Sequence, residues 1–197
     1  MTVKEKRDES LKGRFCTDGR KQRGTMEKDE SALPTVAMDS VFITASMEAA
    51  EHRDVAVVDL PGAYLSADMD DEEEVLMVLR GPLAELMALT APQVYRKFVT
   101  VDANGRQILY VKLQKALYGL LKSALLFYRK LWGDLHAKGF TINPYDPCVA
   151  NKDIGGLQMT VCWHVDDLKM SHKSPQVTTG IIEWLRGVYG NLRIFHG

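Results

Sequence analysis

Cysteine is scarce in this chain, and what there is of it is scattered. Cys16, Cys148 and Cys162 are the three cysteines among 197 residues, and no CxxC pair occurs. That pattern argues against a zinc knuckle or a disulfide framework and points to a reducing compartment. No apolar run has the length needed to cross a bilayer, so no membrane partner is expected. The opening Met1-Thr-Val-Lys-Glu-Lys6 lacks the apolar stretch of a signal peptide. No repeat recurs at solenoid periods, and no GxxxxGK[ST] loop is present, which weighs against a P-loop phosphotransferase. Neither charge sign is in excess, with a formal net charge of −1. Any nucleic-acid binding therefore needs a local basic patch.

What is present is an ordinary globular composition, 46% hydrophobic. The length suits one large domain or two small lobes. The chain is organised around Gln158-Met-Thr-Val-Cys-Trp-His-Val-Asp-Asp-Leu-Lys-Met170. Met159, Val161 and Trp163 alternate with Thr160, Cys162 and His164, the period of a strand with at least one buried face. Asp166-Asp167 interrupts that pattern, and Leu168 and Met170 resume it, as in a β-hairpin with two carboxylates at its tip. Asp-Asp is also an ordinary turn dipeptide. Adjacent carboxylates repel one another, however, and a cation relieves them.

Residues 1–33 are polar, with Lys4, Lys6, Arg7, Lys12, Arg14, Arg20, Lys21 and Arg23 among acids. They read either as a solvated arm or as a flap that grips phosphates. Leu11–Cys16 fits a short strand with Lys12 and Arg14 on one face. Asp39 or Ser40 is a candidate cap for a helix over Val41–Glu51, with Val41, Phe42, Ala45 and Ala49 facing the core. Val55–Val58 is a continuous apolar run, the mark of a strand buried on both faces, and Asp59 ends it before Pro61-Gly62 turns the chain. A carboxylate there needs a partner; Asp59 is either a turn cap or a third ligand.

The acidic run Asp68–Glu74 has the wrong spacing for an EF-hand and reads as a solvated loop. A strand over Val75–Leu79 and a short helix over Pro82–Leu89 follow. Tyr95–Val101 and Ile108–Leu113 read as strands joined through Asn104-Gly105. A helix is expected from Ser123 to Lys138, with Leu125, Tyr128, Leu131, Trp132 and Leu135 inward and Gly139 stopping it. Phe140–Ala150, with two prolines, reads as an irregular connection. A last helix opens at Ser174-Pro175, with Ile181, Ile182, Leu185 and Val188 inward, and Leu192–Phe195 reads as a final strand. The class is α+β, an antiparallel sheet backed by helices. One sheet end could gather Asp59 and Asp166, and oxygen ligands on two divalent ions suit an in-line phosphoryl displacement.

Four stretches, in collinear order, carry a resemblance to a known family. They are Val57-Val-Asp-Leu-Pro-Gly-Ala-Tyr-Leu-Ser-Ala-Asp68, Lys112-Leu-Gln-Lys-Ala-Leu-Tyr-Gly-Leu-Leu-Lys-Ser-Ala-Leu-Leu-Phe-Tyr128, Gly139-Phe140 with Asp146-Pro-Cys148, and Trp163-His-Val-Asp-Asp-Leu168. Together they resemble the reverse transcriptase domain of copia-type retrotransposons, over about residues 10–197. Each motif alone is weak; the ordered set is specific. The resemblance implies a right-hand polymerase fold with fingers and palm, residues 1–33 forming the arm and part of the fingers and residues 34–197 the core. It implies RNA-directed DNA polymerase activity with an RNA template, a DNA primer and dNTPs as partners, and two Mg2+ (or Mn2+) ions as cofactors. By the same resemblance Asp59 and Asp166 hold the metals and Asp167 accompanies them. Tyr64 crowds the sugar 2′ carbon, Lys12 and Arg14 meet the triphosphate, and Tyr118 and Gly119 lie under the nascent pair.

The chain departs from the family at two positions: His164 stands where a tyrosine usually packs near the primer terminus, and Ala124 replaces a proline. The family's thumb and RNase H domain follow the last palm helix, so the expectation is a fragment of a Pol polyprotein whose thumb, RNase H and integrase are missing here. The alternative expectation is a catalytically inactive transposon remnant that keeps the fold and some nucleic-acid affinity. The resemblance places the protein in the cytoplasm, within virus-like particles, and leaves the nucleus open.

Overall fold

The computed structural model describes residues 2–5, 9, 11–14, 16–19, 33–69 and 74–197. The arm residues Lys6, Arg7, Arg20, Lys21 and Arg23, and positions 70–73 of the acidic run, lie outside the described residues. The architecture is α+β, as expected, with antiparallel sheets and helices. β1 (Thr2–Glu5) and β2 (Leu11–Arg14) pair as a small hairpin. Among the described residues the main sheet has six strands, in the order β11-β3-β10-β9-β8-β7. Its centre is β3 (Asp54–Asp59), β10 (Asp167–His172) and β9 (Leu157–His164). β11 (Arg193–His196) lies beyond β3, and β8 (Val149–Ile154) and β7 (Thr141–Ile142) lie beyond β9. A second sheet, β4-β6-β5, is built from Leu76–Arg80, Gln107–Lys112 and Thr100–Val101.

Period-two alternation puts Leu168 and Met170 on one face of the main sheet and Asp167 and Lys169 on the other. Leu168 and Met170 are buried in the principal core with Ala56, Val58, Val161 and Trp163. Helix α5 (Ser123–Ala137) adds Phe127, Leu131 and Leu135 to it, and helix α6 (Pro175–Tyr189) adds Ile181, Ile182 and Leu185. Each side chain of this size, taken fully out of water, contributes about 1.5–3 kcal/mol. The small sheet has its own satellite core: Leu79 and Leu109 pack against Ala84 of α3 (Pro82–Thr90).

Several elements depart from the sequence expectation. Helix α1 runs over Met38–Glu51, begins before Asp39, and has no side-chain cap of its own. Its first turn is tied instead from far away, by the Ala37 amide donating to the Asp146 carboxylate at 2.9 Å. Its buried residues are Thr44 and Glu48, whereas Phe42, Ala45 and Ala49 are exposed. The polar face turns inward because Lys169 reaches it, its Nζ 2.8 Å from Glu48 Oε2 and 2.9 Å from Thr44 Oγ1. Tyr95 ends a short helix, α4 (Pro92–Tyr95), and Arg96–Phe98 forms a 3-10 turn, so only Thr100–Val101 of that stretch is strand. Pro92 at the first helical turn favours that outcome. Gly105, at φ 74°, carries the hairpin turn, helped by the Asp102 carboxylate accepting from the Asn104 and Arg106 amides.

On α5, Leu126 and Phe127 are buried and Trp132 is exposed, stacked on His136 at 5.3 Å. A broad indole half-covered by an imidazole one turn on needs no core site. Phe140–Ala150 is not irregular throughout, since it supplies β7 and the start of β8. Its two prolines fall in the connection between these strands, where no ladder bond is lost. Val188 is partly exposed rather than inward, while Thr178 is buried.

Candidate active site

Asp59 ends β3 between two neighbours. It stands opposite Asp167 on β10 and opposite Arg193 on β11. Asp167 in turn stands opposite His164 on β9. Residues in cross-strand register share a face. The row across four strands is therefore Arg193, Asp59, Asp167, His164: cation, two carboxylates, imidazole. β9 and β10 are joined by only Val165 and Asp166. Val165 takes a left-handed φ of 57°, costly for a β-branched residue. The loop is held by the Leu60 amide donating to the Asp166 carbonyl at 3.0 Å. That bond ties the hairpin tip to the residue after Asp59, so the three aspartates come to one end of the sheet.

The charges act on one another there. Partial burial raises the Asp167 carboxyl above its ordinary value, Asp166 and Asp59 raise it further, and His164 opposes them. Asp59 is offset by Arg193, whose Nη1 lies 3.3 Å from Asp59 Oδ2. Among the described residues, no group of three or more His, Cys, Asp or Glu side chains is placed to hold a metal ion. The chemistry of the donors nevertheless fits Mg2+ or Mn2+: hard carboxylate oxygens without thiolates, under mutual repulsion that a cation would relieve.

Tyr64 lies on α2 (Ala63–Ser66), which Gly62 enters at φ 72°. Its ring is 4.6 Å from that of Tyr118 and 6.3 Å from that of Phe127. Burial raises the Tyr64 phenol above its ordinary value, and Asp166 and Tyr118 add to the shift. Tyr64 thus packs on the Tyr118 turn and feels the charge of Asp166. That turn is closed by Ser123, whose hydroxyl donates to the Leu117 carbonyl at 2.7 Å and accepts from the Leu117 amide at 3.1 Å.

Gly119 has φ 95°, and a Cβ there would collide with the Thr17 carbonyl. The Thr17 amide donates to the Tyr118 carbonyl at 2.8 Å. The space that Gly119 leaves is thus used by the chain's own N-terminal segment. Lys12 and Arg14 fall in β2, opposite Lys4 and Thr2; their side chains lie outside what the structure describes. His164 is exposed at the end of the charged row. Arg193, Ser123 and Asp146 were not singled out in the sequence. Ser123 and Asp146 fall inside two of the quoted motifs, but their partners are backbone groups that no motif names; Arg193 lies outside the motifs, and its partner is on another strand.

Residues 1–189 match the family described as reverse transcriptase (RNA-dependent DNA polymerase). The chain belongs to that family. Among curated proteins it is similar to the Retrovirus-related Pol polyprotein from transposon TNT 1-94 of Nicotiana tabacum, 25% identical over 177 residues. That alignment covers 89% of this chain and 12% of the relative, so the chain spans about an eighth of the polyprotein's length. No solved structure matches it. These relationships bear out the copia-type reverse transcriptase resemblance, and the two aspartate motifs and the Tyr118-Gly119 turn fall within the matched residues.

Proposed function

We propose that this chain is the fingers-and-palm polymerase core of a copia-type retrotransposon reverse transcriptase. It extends a DNA primer on an RNA template by transferring dNMP units from dNTPs. The observation that carries the reading is the register of Asp59 with Asp167, beside a two-residue loop that holds Asp166. In that reaction the primer 3′ hydroxyl attacks the α-phosphorus of the dNTP and pyrophosphate leaves. Two Mg2+ or Mn2+ ions, when bound, would make the hydroxyl a better nucleophile and neutralise charge on the leaving group.

Asp59 and Asp166 would hold the ions, and Asp167 adds negative potential beside them. Tyr64 is the wall against the sugar. Its ring is fixed from behind by Tyr118 and Phe127, so a 2′ hydroxyl meets a surface that does not yield. Tyr118 and Gly119 support the nascent pair from below. Lys12 and Arg14 meet the triphosphate, and His164 stacks or hydrogen-bonds near the primer end. Residues 1–33 contribute to the fingers and 34–197 form the core. The remaining partners are the other segments of a Pol polyprotein, in the cytoplasm within virus-like particles.

The test is single-nucleotide primer extension on an RNA template with Mg2+ or Mn2+, comparing wild type with Asp166→Asn. The variant should fold normally, because a like-charge repulsion is removed. It should lose at least about a hundredfold in rate, the least expected for a direct metal ligand. Extension by the variant at the wild-type rate would refute the metal assignment. Retention of all three carboxylates together with the Tyr64–Tyr118 pair supports a polymerase over an inactive remnant.

A further inference from the structure

The Arg193–Asp59 contact has no part in the reading above. Arg193 sits on β11, 134 residues from Asp59, and reaches it only because β11 pairs with β3 in register. The two side chains differ in exposure: Asp59 is 23% exposed and Arg193 is 51% exposed. Their contact is one Nη1···Oδ2 approach at 3.3 Å, not the two-pronged pairing that makes an arginine–carboxylate contact rigid. A contact of this kind is weak and easily exchanged. It still places a full positive charge on the carboxylate that the metal reading requires.

Asp167 occupies the other side of Asp59, so the cation reaches Asp59 from one flank and like charge from the other. An oxygen that accepts from a guanidinium has less electron density for a metal, and the guanidinium repels a divalent ion close by. We propose that Arg193 is the counterion of the metal site. It occupies Asp59 when no divalent ion is present, releases it when one arrives, and so sets how tightly the site takes the ion. Arg193 is a positioning residue: it acts on the reaction through Asp59. The proposal rests on Asp59 being a metal ligand.

The experiment is direct titration with Mn2+, without nucleotide or nucleic acid, following free Mn2+ by electron paramagnetic resonance. Four proteins are compared: wild type, Arg193→Gln, Arg193→Lys and Asp59→Asn. Arg193 is half exposed, so its replacement leaves the fold in place. Removing a unit charge beside the site should tighten Mn2+ binding about three- to tenfold in Arg193→Gln. Arg193→Lys, which keeps the charge, should stay within about twofold of wild type. Asp59→Asn should lose the site.

If Arg193→Gln binds Mn2+ no more tightly than wild type while Asp59→Asn loses it, the counterion role is overturned and the metal ligand stands. If Arg193→Lys tightens binding as much as Arg193→Gln, charge is not the cause and the role is again overturned. If Asp59→Asn binds as wild type does, or if neither wild type nor Arg193→Gln binds at all, the ligand assignment fails and the proposal falls with it.

Discussion

At the scale of single residues, two positions near the candidate site show how much one atom decides. Gly119 combines a left-handed φ with a backbone neighbour where a Cβ would go. Gly119→Ala should therefore cost about 1–3 kcal/mol. The loss should fall on the docking of residues 16–19 more than on the core. Limited proteolysis ahead of Thr17 should accelerate, with the global unfolding midpoint nearly unchanged; equal cleavage rates would count against the contact. Asp167 supplies a pH signature. Its folded pKa lies above the ordinary carboxyl value. The folded state therefore holds a proton that the unfolded state has released, and stability falls as pH rises through that window. Asp167→Asn should raise the melting temperature at neutral pH, and the gain should vanish in acid below the ordinary carboxyl range. A gain that persists there would have another origin. Much of this site was legible beforehand: Asp59, Asp166, Asp167, Tyr64 and Tyr118 stood out from their motifs. Arg193 did not, because nothing local to an arginine in a short strand says which strand will lie beside it.

Elements were read well where one face is apolar and poorly where tertiary partners choose the face. Strands β9 and β10 follow their periodicity, and helix α6 does so except at Val188, which is exposed. β3 buries Ala56 and Val58 on one face and leaves Val55 and Val57 half-buried on the other, so it is not buried on both faces as its apolar run suggested. Helix α1 does not follow its pattern either: its inward face is Thr44 and Glu48, because Lys169 needs them. The apolar residues Met38, Phe42 and Ile43 are left exposed. The ion pair is largely buried, with side-chain exposures of 9% for Glu48 and 20% for Lys169. Removing one partner leaves the other charge partly desolvated, so Glu48→Ala should cost about 3 kcal/mol. Replacing both, as Glu48→Leu with Lys169→Met, should return the protein to within about 1 kcal/mol of wild type. Urea unfolding of the three proteins measures this, and a double variant no better than the single one would refute it. The shortfalls at β7 and β8 have a similar source. β7 is only two residues long and is defined by its neighbour's ladder, not by any pattern of its own.

At the scale of the whole molecule there are two packed units, a large sheet with α5 and α6 against it and a small sheet with its satellite core. They are linked where Asp68 meets Lys115 at 2.6 Å and the Ala116 amide donates to the Ala67 carbonyl at 2.9 Å. β11, at the rim of the large sheet, bonds to β3 on one side only. Among the described residues its outer side therefore offers bare amides and carbonyls, with Phe195 61% exposed upon it. A row of unmet backbone groups with an apolar side chain is a template on which another extended segment can add. Preparations of this chain should accordingly self-associate as concentration rises. Sedimentation velocity should show the shift, and Phe195→Lys should suppress it by setting like charges against one another at the seam. The strand that delivers Arg193 to Asp59 is thus also the place where the protein is open to stacking edge to edge into aggregates.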